Sequence, residues 1–247
     1  MQVIGVIPSR YSSTRFEGKV IADLLGKPMI QHVWEKAKQA KTLDEVIIAC
    51  DDERVAEVAT SFGAKIAMTS RDHTCGTDRI SEVVNPIDVE IVINIQGDEP
   101  LIHPTTIDSL ARCLMEDKSL CMATVIKRIE DPQALSDPHV VKVVVDKNNF
   151  ALYFSRAPIP FKAQNSEEDN PAYYKHIGLY GYTKDFLFTY KNLPVAALEK
   201  IEQLEQLRVL ENGFRIKVIE TKYDTIGVDT PQDLEKVKLL LSRGSYA

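Results

Sequence analysis

A chain of 247 residues, 44% of them hydrophobic, is long enough to bury a large core and sits at the upper edge of what one domain holds. With 30 basic against 36 acidic residues the net charge is −6, which argues against a non-specific grip on nucleic acid or an anionic membrane, so any phosphate must be met by a local basic pocket. No apolar run approaches the ~20 residues that span a bilayer, the start MQVIGVIPSR lacks a secretory pattern, and Cys50, Cys75, Cys113 and Cys121 form neither a CxxC pair nor a zinc pattern, so a soluble, cytoplasmic chain with reduced thiols is expected.

Short β-branched runs alternate with amphipathic stretches through the first half, which predicts βαβ units on a mostly parallel sheet. Val3 to Ile7 reads as a buried strand ending at Pro8. Behind Pro28, which suits a first helical turn, Met29, Ile30, Val33, Trp34 and Ala37 recur at helical spacing. Val46 to Ala49 is a second strand; Asp51 or Asp52 then caps a helix carrying Val55, Val58 and Ala59, which Gly63 stops. Lys65 to Met68 and Glu90 to Ile95 are further strands, the second running straight into the polar turn Gln96-Gly97-Asp98-Glu99-Pro100. In open α/β sheets ligands collect beyond the carboxyl ends of strands, which directs attention to the segments after Ile7 and Ile95.

Beyond Cys121 the texture changes. Val140 to Asp146, the turn Lys147-Asn148-Asn149, and Phe150 to Ser155 read as a hairpin. Gln164 to Pro171 is polar and acidic, a loop or lid candidate. His176 to Tyr182 is strand-like, and Ala197 to Asn212 reads as one helix with Leu198, Ile201, Leu204 and Leu207 inward, closed by Gly213. Phe214 to Ile219 is a strand, and Gly227-Val228-Asp229-Thr230-Pro231 leads into a helix from Pro231 to about Leu241.

Two segments carry chemistry. Pro8 to Lys19, PSRYSSTRFEGK, follows the first strand with three cations, hydroxyls and a glycine, a composition able to wrap a triphosphate with guanidinium forks and backbone N–H groups. It is neither a Walker loop nor GxGxxG, and a solvated basic loop is the plainer alternative. Lys19 and Arg15 are expected on the outer phosphates, helping pyrophosphate leave, with Arg10 beside them. The turn after Ile95 supplies Asp98, a carboxylate at a strand end beside a glycine, suited to magnesium because that ion shares oxygen ligands between protein and phosphate. Asp229 is a second such acid, although Asp-Thr-Pro equally fits a helix cap. If both acids face one pocket, two magnesium ions could clamp an in-line displacement.

The ordered segments PSRYSSTRFEGK, GKPMIQHVWEKA, DHTCGTDR, INIQGDEP, ALYFSRAPIPF, YKHIGLYGY, LEQLRVLENG and GVDTPQDLEKV together resemble the CMP-Kdo synthetase family, the 3-deoxy-manno-octulosonate (Kdo) cytidylyltransferases, across nearly the whole chain. The resemblance implies an α/β, mononucleotide-binding (Rossmann-like) fold, a cytoplasmic homodimer, CTP plus Mg2+, and a product feeding lipopolysaccharide or capsule assembly. Residues 1–125 would mainly bind CTP, 126–225 would form a smaller mixed α+β lobe for the sugar and for dimerisation, and 226–247 would bring a metal-site turn and the last helix. Position by position it puts Arg10, Ser13, Arg15 and Lys19 on the phosphates. Asp72, Thr74, Cys75, Gly76 and Arg79 would lie near cytosine and ribose, and Gln96 and Asp98 beside metal and sugar. Arg156, His176, Tyr180, Glu205 and Gln206 would hold the eight-carbon sugar acid, and Asp229 a second magnesium. Phe16-Glu17 stands where Leu-Pro is common, which alters loop stiffness because a proline would fix φ. Ser9 stands where Ala is common, and Cys75 replaces a more usual serine.

On the residues alone the sugar side is thinner. Glu202, Glu205 and Gln206 share one polar face of the expected helix and suit a polyol, while glutamates on a helix are mostly solvated. His176 is a general base in principle, with no orienting partner visible. Tyr173, Tyr174, Tyr180 and Tyr182 read first as core or dimer packing. The same chemistry on an 8-amino analogue or a sialic acid, a nicotinamide-dependent oxidoreductase, which the missing GxGxxG disfavours, and a non-catalytic nucleotide module remain the alternatives.

Overall fold

The computed structural model describes residues 1–12, 15–73, 75–163 and 171–243. The elements in chain order are β1 (Val3–Ser9), a 3-10 turn (Lys19–Ile21), β2 (Asp23–Leu24), β3 (Lys27–Pro28), α1 (Met29–Lys38), β4 (Glu45–Cys50), α2 (Glu53–Ser61), β5 (Lys65–Met68), α3 (Gly76–Val84), β6 (Ile91–Asn94) and α4 (Pro104–Glu116). Then come β7 (Met122–Arg128), α5 (Pro132–Ser136), β8 (Lys142–Val145), β9 (Ala151–Ser155), β10 (Tyr174–Thr183), α6 (Lys184–Asn192), α7 (Ala197–Glu202), α8 (Gln206–Glu211), β11 (Lys217–Glu220) and α9 (Pro231–Ser242).

The main sheet runs β11-β7-β10-β6-β1-β4-β5. Parallel pairing joins β5, β4, β1 and β6, and joins β11 to β7; β10 alone on this path runs against its neighbours. The period-2 pattern of the strands sorts the core into two layers. Val3 and Ile7 of β1 and Ile91, Ile93 and Ile95 around β6 pack with α1, α2 and α4, while Ile4, Val6 and Val92 pack with α3, α6 and α8 on the opposite face. The result is a helix–sheet–helix sandwich whose strand order reverses at β1, with β4 on one side and β6 on the other.

Several sequence expectations match closely. Asp52, not Asp51, caps α2, its carboxylate accepting from the Arg54 N–H at 3.0 Å, and Gly63 ends the segment at φ 81°. The β8–β9 hairpin forms with Asn149 at φ 57° in its turn. Strand β1 continues through Pro8 to Ser9, because pairing with β6 stops at Val6 and only β4 borders the proline.

The expected helix over 197–212 is two helices. Gln203 adopts φ 54°, ψ 49° and breaks it between α7 and α8, so Leu198 and Ile201 are 37% and 76% exposed while Leu204 and Leu207 are buried. The lobe expected beyond residue 125 shares its sheet with the first half: β7, β10 and β11 extend it, and the β8–β9 hairpin branches from β10. Among the described residues no helix is long and apolar enough to cross a membrane, and all four cysteines are free.

Candidate active site

The segment after β1 folds back on itself. The Gly18 N–H donates to the Tyr11 carbonyl at 3.0 Å, and Gly18 holds φ 67° where a Cβ would lie 3.2 Å from the Tyr11 ring. Only glycine takes that turn without strain. Asp51 at the end of β4 accepts the Tyr11 N–H at 3.2 Å, and the Arg54 guanidinium covers the Tyr11 ring at 3.4 Å. This closed loop delivers Lys19, in its 3-10 turn, to the carboxyl end of the sheet.

The turn after β6 meets it there. Gly97 approaches β1 so closely that a Cβ would lie 2.9 Å from Ser9 Oγ and 3.1 Å from the Pro8 carbonyl. Lys19 Nζ donates to Asp98 Oδ2 at 2.6 Å and to Asp229 Oδ1 at 3.0 Å, while Arg15 reaches Asp229 Oδ2 at 3.0 Å. Burial opposes the Lys19 charge, but the Asp98 and Asp229 carboxylates outweigh it and hold the ammonium above its ordinary value. Asp229 is free for this because Thr230 caps α9, in a capping box with Asp233, and the Val228 N–H donates to the Asp98 carbonyl at 2.8 Å. Three side chains far apart in sequence therefore meet at the reversal of strand order.

A cleft of about 240 Å³ opens over this cluster, lined among others by Arg10, Lys19, Gly76, Gln96, Asp98 and Asp229. The N-terminus of α3 faces it at Cys75 and Gly76, bringing the positive end of a helix dipole to the cleft. Through Asp229 it adjoins a larger cleft of about 610 Å³ containing Arg15, Glu99, Lys175, His176 and Lys236. Through Gln96 and Glu205 it adjoins a third, of about 240 Å³, containing Tyr180, Tyr182 and Gln206. Burial, reinforced by the Asp98 charge, pushes Glu99 up to about 7, and burial also raises Glu205. Two carboxylates from separate segments, with phosphate oxygens to complete the shell, fit a hard divalent cation. Among the described residues no group of three or more His, Cys, Asp or Glu forms an all-protein cage.

A sequence model of the family described as Cytidylyltransferase matches residues 4–219. A 3-deoxy-manno-octulosonate cytidylyltransferase of Solibacter usitatus (strain Ellin6076) is 55% identical, over 97% of this chain and 94% of its own length. One of Geotalea uraniireducens (strain Rf4) is 51% identical, over 96% and 98%. A solved structure of CMP:2-keto-3-deoxy-manno-octonic acid synthetase complexed with CTP superposes with a TM-score of 0.93 at 44% identity, covering 99% of this chain and all of that one. The chain belongs to the cytidylyltransferase family.

In this cytidylyltransferase the phosphate-side expectations largely converge: Arg10, Lys19, Asp98 and Asp229 line one cleft, and Arg15 reaches it through Asp229. Cys75, Gly76 and Arg79 line the same cleft. Burial pushes the Cys75 thiol up to about 11, and the Arg79 guanidinium is committed to Asp51 at 2.8 Å and to Thr69. Asp72 is exposed, bonded to Ser70, and lines none of the three clefts. Ser13 and Thr74 lie outside the described residues, as does the proposed lid apart from Pro171.

On the sugar side Gln96, Tyr180, Glu205 and Gln206 share the third cleft, and His176 lines the second. Burial drives the His176 imidazole down to about 3, so the ring is neutral and only a weak base at physiological pH. Arg156 lines none of these clefts; its guanidinium donates to the carbonyls of Pro138, Glu202 and Gln203. Glu202 turns away from Glu205, accepting the Ser155 hydroxyl at 2.6 Å and the Arg156 N–H at 2.9 Å, because the break at Gln203 removes the shared helix face. Sequence reasoning missed Glu99 and Lys175 in the second cleft, and it did not single out His73 of the first, which falls inside the segment from Asp72 to Arg79 expected near the nucleoside. Glu99 stood beside Asp98, and Lys175 beside His176, each in a motif already singled out. Tyr182, expected as packing, is both core and a wall of the third cleft.

Proposed function

We propose that this chain transfers CMP from CTP to the anomeric hydroxyl of Kdo with release of pyrophosphate, using Mg2+ at Asp98 and Asp229. The observation that carries the reading is the Lys19 ammonium held between those two carboxylates, at the mouth of paired clefts. The relatives named above act on that sugar acid, and the solved one was captured with CTP.

Arg10, Arg15 and Lys19 orient the triphosphate and carry the charge that builds on departing pyrophosphate. The end of α3, with Cys75, Gly76 and Arg79, shapes the nucleoside end. Gln96, Tyr180, Glu205 and Gln206 offer donors and acceptors to hydroxyls, and Lys175 and Lys236 offer cations to a carboxylate. Bound magnesium supplies positive charge for the phosphate oxygens and Lewis acidity at the reacting centre. On this reading catalysis is positioning plus charge neutralisation. We assign residues 1–125 mainly to CTP and 126–225 to the sugar. A cytoplasmic homodimer fits the free thiols and the exposed Leu152 and Ile201 on neighbouring β9 and α7.

Pyrophosphate release measured with CTP and a panel of sugar acids tests the proposal. Turnover is expected with Kdo above its 8-amino analogue and sialic acid, and only with a divalent cation present. CTP binding without turnover of any sugar acid, or tight NADH binding, would overturn it.

A further inference from the structure

We propose that Thr124 of β7 is a positioning residue that fixes His176 as its Nε2–H tautomer, leaving Nδ1 as an obligate acceptor that reads a hydroxyl of the sugar acid. The proposal rests on the sugar-acid reading above and adds a residue and a direction of hydrogen bonding to it.

Thr124 is fully buried. Its Oγ1 lies 2.9 Å from His176 Nε2, 2.9 Å from the Leu179 carbonyl and 3.5 Å from the Ile177 carbonyl. A hydroxyl has one proton to give, and a carbonyl oxygen has none, so the short contact to Leu179 must be the one Thr124 donates. The hydroxyl then turns a lone pair toward His176, and Nε2 must carry the hydrogen. Two acceptors facing each other at 2.9 Å inside the fold would otherwise remain unpaired.

The demand originates in a backbone irregularity. The register between β7 and β10 shifts between Ile177 and Tyr180, and the Leu179 carbonyl accepts the hydroxyl of Thr124. Thus a β-bulge determines where the threonine proton goes, and the threonine determines the imidazole tautomer. The ring itself is clamped, with Phe154 meeting it edge-on at 5.1 Å and Tyr180 at 5.2 Å, and the backbone N–H of His176 anchors the strand by donating to the Val141 carbonyl at 2.8 Å.

Burial keeps this imidazole neutral, so Nδ1 has no hydrogen. Among the described residues no partner is bonded to it, and no sealed side-chain nitrogen or oxygen is left unpaired, so Nδ1 opens on the cleft that His176 lines. A bare ring nitrogen accepts from O–H and repels carbonyl and carboxylate oxygens. It therefore selects a hydroxyl of the bound polyol and rejects the sugar's acid group at that place.

The test begins with protein carrying 15N-labelled histidine and no substrate. Long-range proton–nitrogen correlation at pH 7.5, assigned by loss of the signal in His176→Asn, should show a protonated Nε2 and an unprotonated Nδ1. The opposite tautomer, or an even mixture, would overturn the proposal while leaving the proposed function untouched. In turnover, Thr124→Val should raise KM for the sugar acid about tenfold, the scale of one lost neutral hydrogen bond, with KM for CTP and kcat within about threefold of wild type. Thr124→Ser should restore both the tautomer and the sugar KM. An unchanged sugar KM, or equal rises for sugar and CTP, refutes the assignment. If Thr124→Val does not fold, the wild-type tautomer and the serine variant decide. A chain that turned over no sugar acid would overturn the proposed function and the hydroxyl reading with it.

Discussion

Replacing Lys19 with methionine keeps the length of the side chain and removes its charge, so it separates what the ammonium does for the fold from what it does for the reaction. Lys19 Nζ sits 2.6 Å from Asp98 and 3.0 Å from Asp229, with the three side chains 13%, 28% and 48% exposed. Without it the two carboxylates face each other across at most about 6 Å, a repulsion of about 1–3 kcal/mol for effective dielectric constants between water and ~20. Because Asp229 is half solvated and Arg15 still pairs with it, the lower end applies, and a melting temperature some 2–4 °C lower is expected.

The kinetic loss is larger. A preorganised donor aimed at developing phosphate charge contributes about 3–4 kcal/mol, so kcat for pyrophosphate release at saturating CTP and sugar should fall about 10²–10³-fold. With the ammonium gone, a divalent cation no longer competes for the two acids, and Mn2+ should bind the nucleotide-free variant more tightly than the wild type. A variant that turns over within threefold of wild type, or one that fails to fold, refutes the reasoning.

Further outcomes follow from single contacts. Gly97→Ala forces a methyl against Ser9 Oγ and the Pro8 carbonyl, so the ends of β1 and β6 must part; about 1–3 kcal/mol of stability and a severalfold rise in KM for CTP are expected, read by urea titration and steady-state kinetics. Lys142, fully buried, donates to the carbonyls of Asp137, Val140 and Arg156 at 2.8, 2.6 and 2.6 Å, and Lys142→Met strands all three, so urea titration should show a loss of about 3 kcal/mol. His176 has its folded value near 3 against an ordinary 6.5, so its contribution is intact above pH 6.5 and is lost as pH falls toward 3, where the unfolded chain takes up a proton the folded one refuses. Wild type should accordingly lose stability between pH 7.5 and 5 more steeply than His176→Asn, and parallel pH curves for the two would refute that linkage.

Much of the fold was legible because its strands announce themselves locally. Val3 to Ile7 and Glu90 to Ile95 are apolar throughout, as strands covered on both faces must be, and the reversal of order at β1 placed the chemistry at their ends. The α9 cap was ambiguous in sequence because Asp229 and Thr230 are both good N-caps; the structure uses Thr230, and the aspartate is released to the cleft. The 197–212 helix misled because its apolar spacing is continuous through Gln203, and nothing local requires that residue to turn left-handed; packing of α8 under β9 decides it. Arg156 and Glu202 were legible as charges but not as partners, since the contacts that occupy them come from a hairpin and a helix about 46 residues apart. Thr124 gave no signal at all, because its role depends on a register shift in a strand some 50 residues later.

The main-chain bond from Val228 to the Asp98 carbonyl joins the two acidic segments directly, without side chains. Because the link is to backbone, substitution at either aspartate leaves the spacing between their Cα positions in place, and charge at the site can be retuned without resetting its geometry. Conversely, any displacement of the 227–229 strap carries both acids out of register together. The acidic pair proposed to hold the cation is thereby a single mechanical unit, present whole or absent whole, although one half of it lies 131 residues beyond the other.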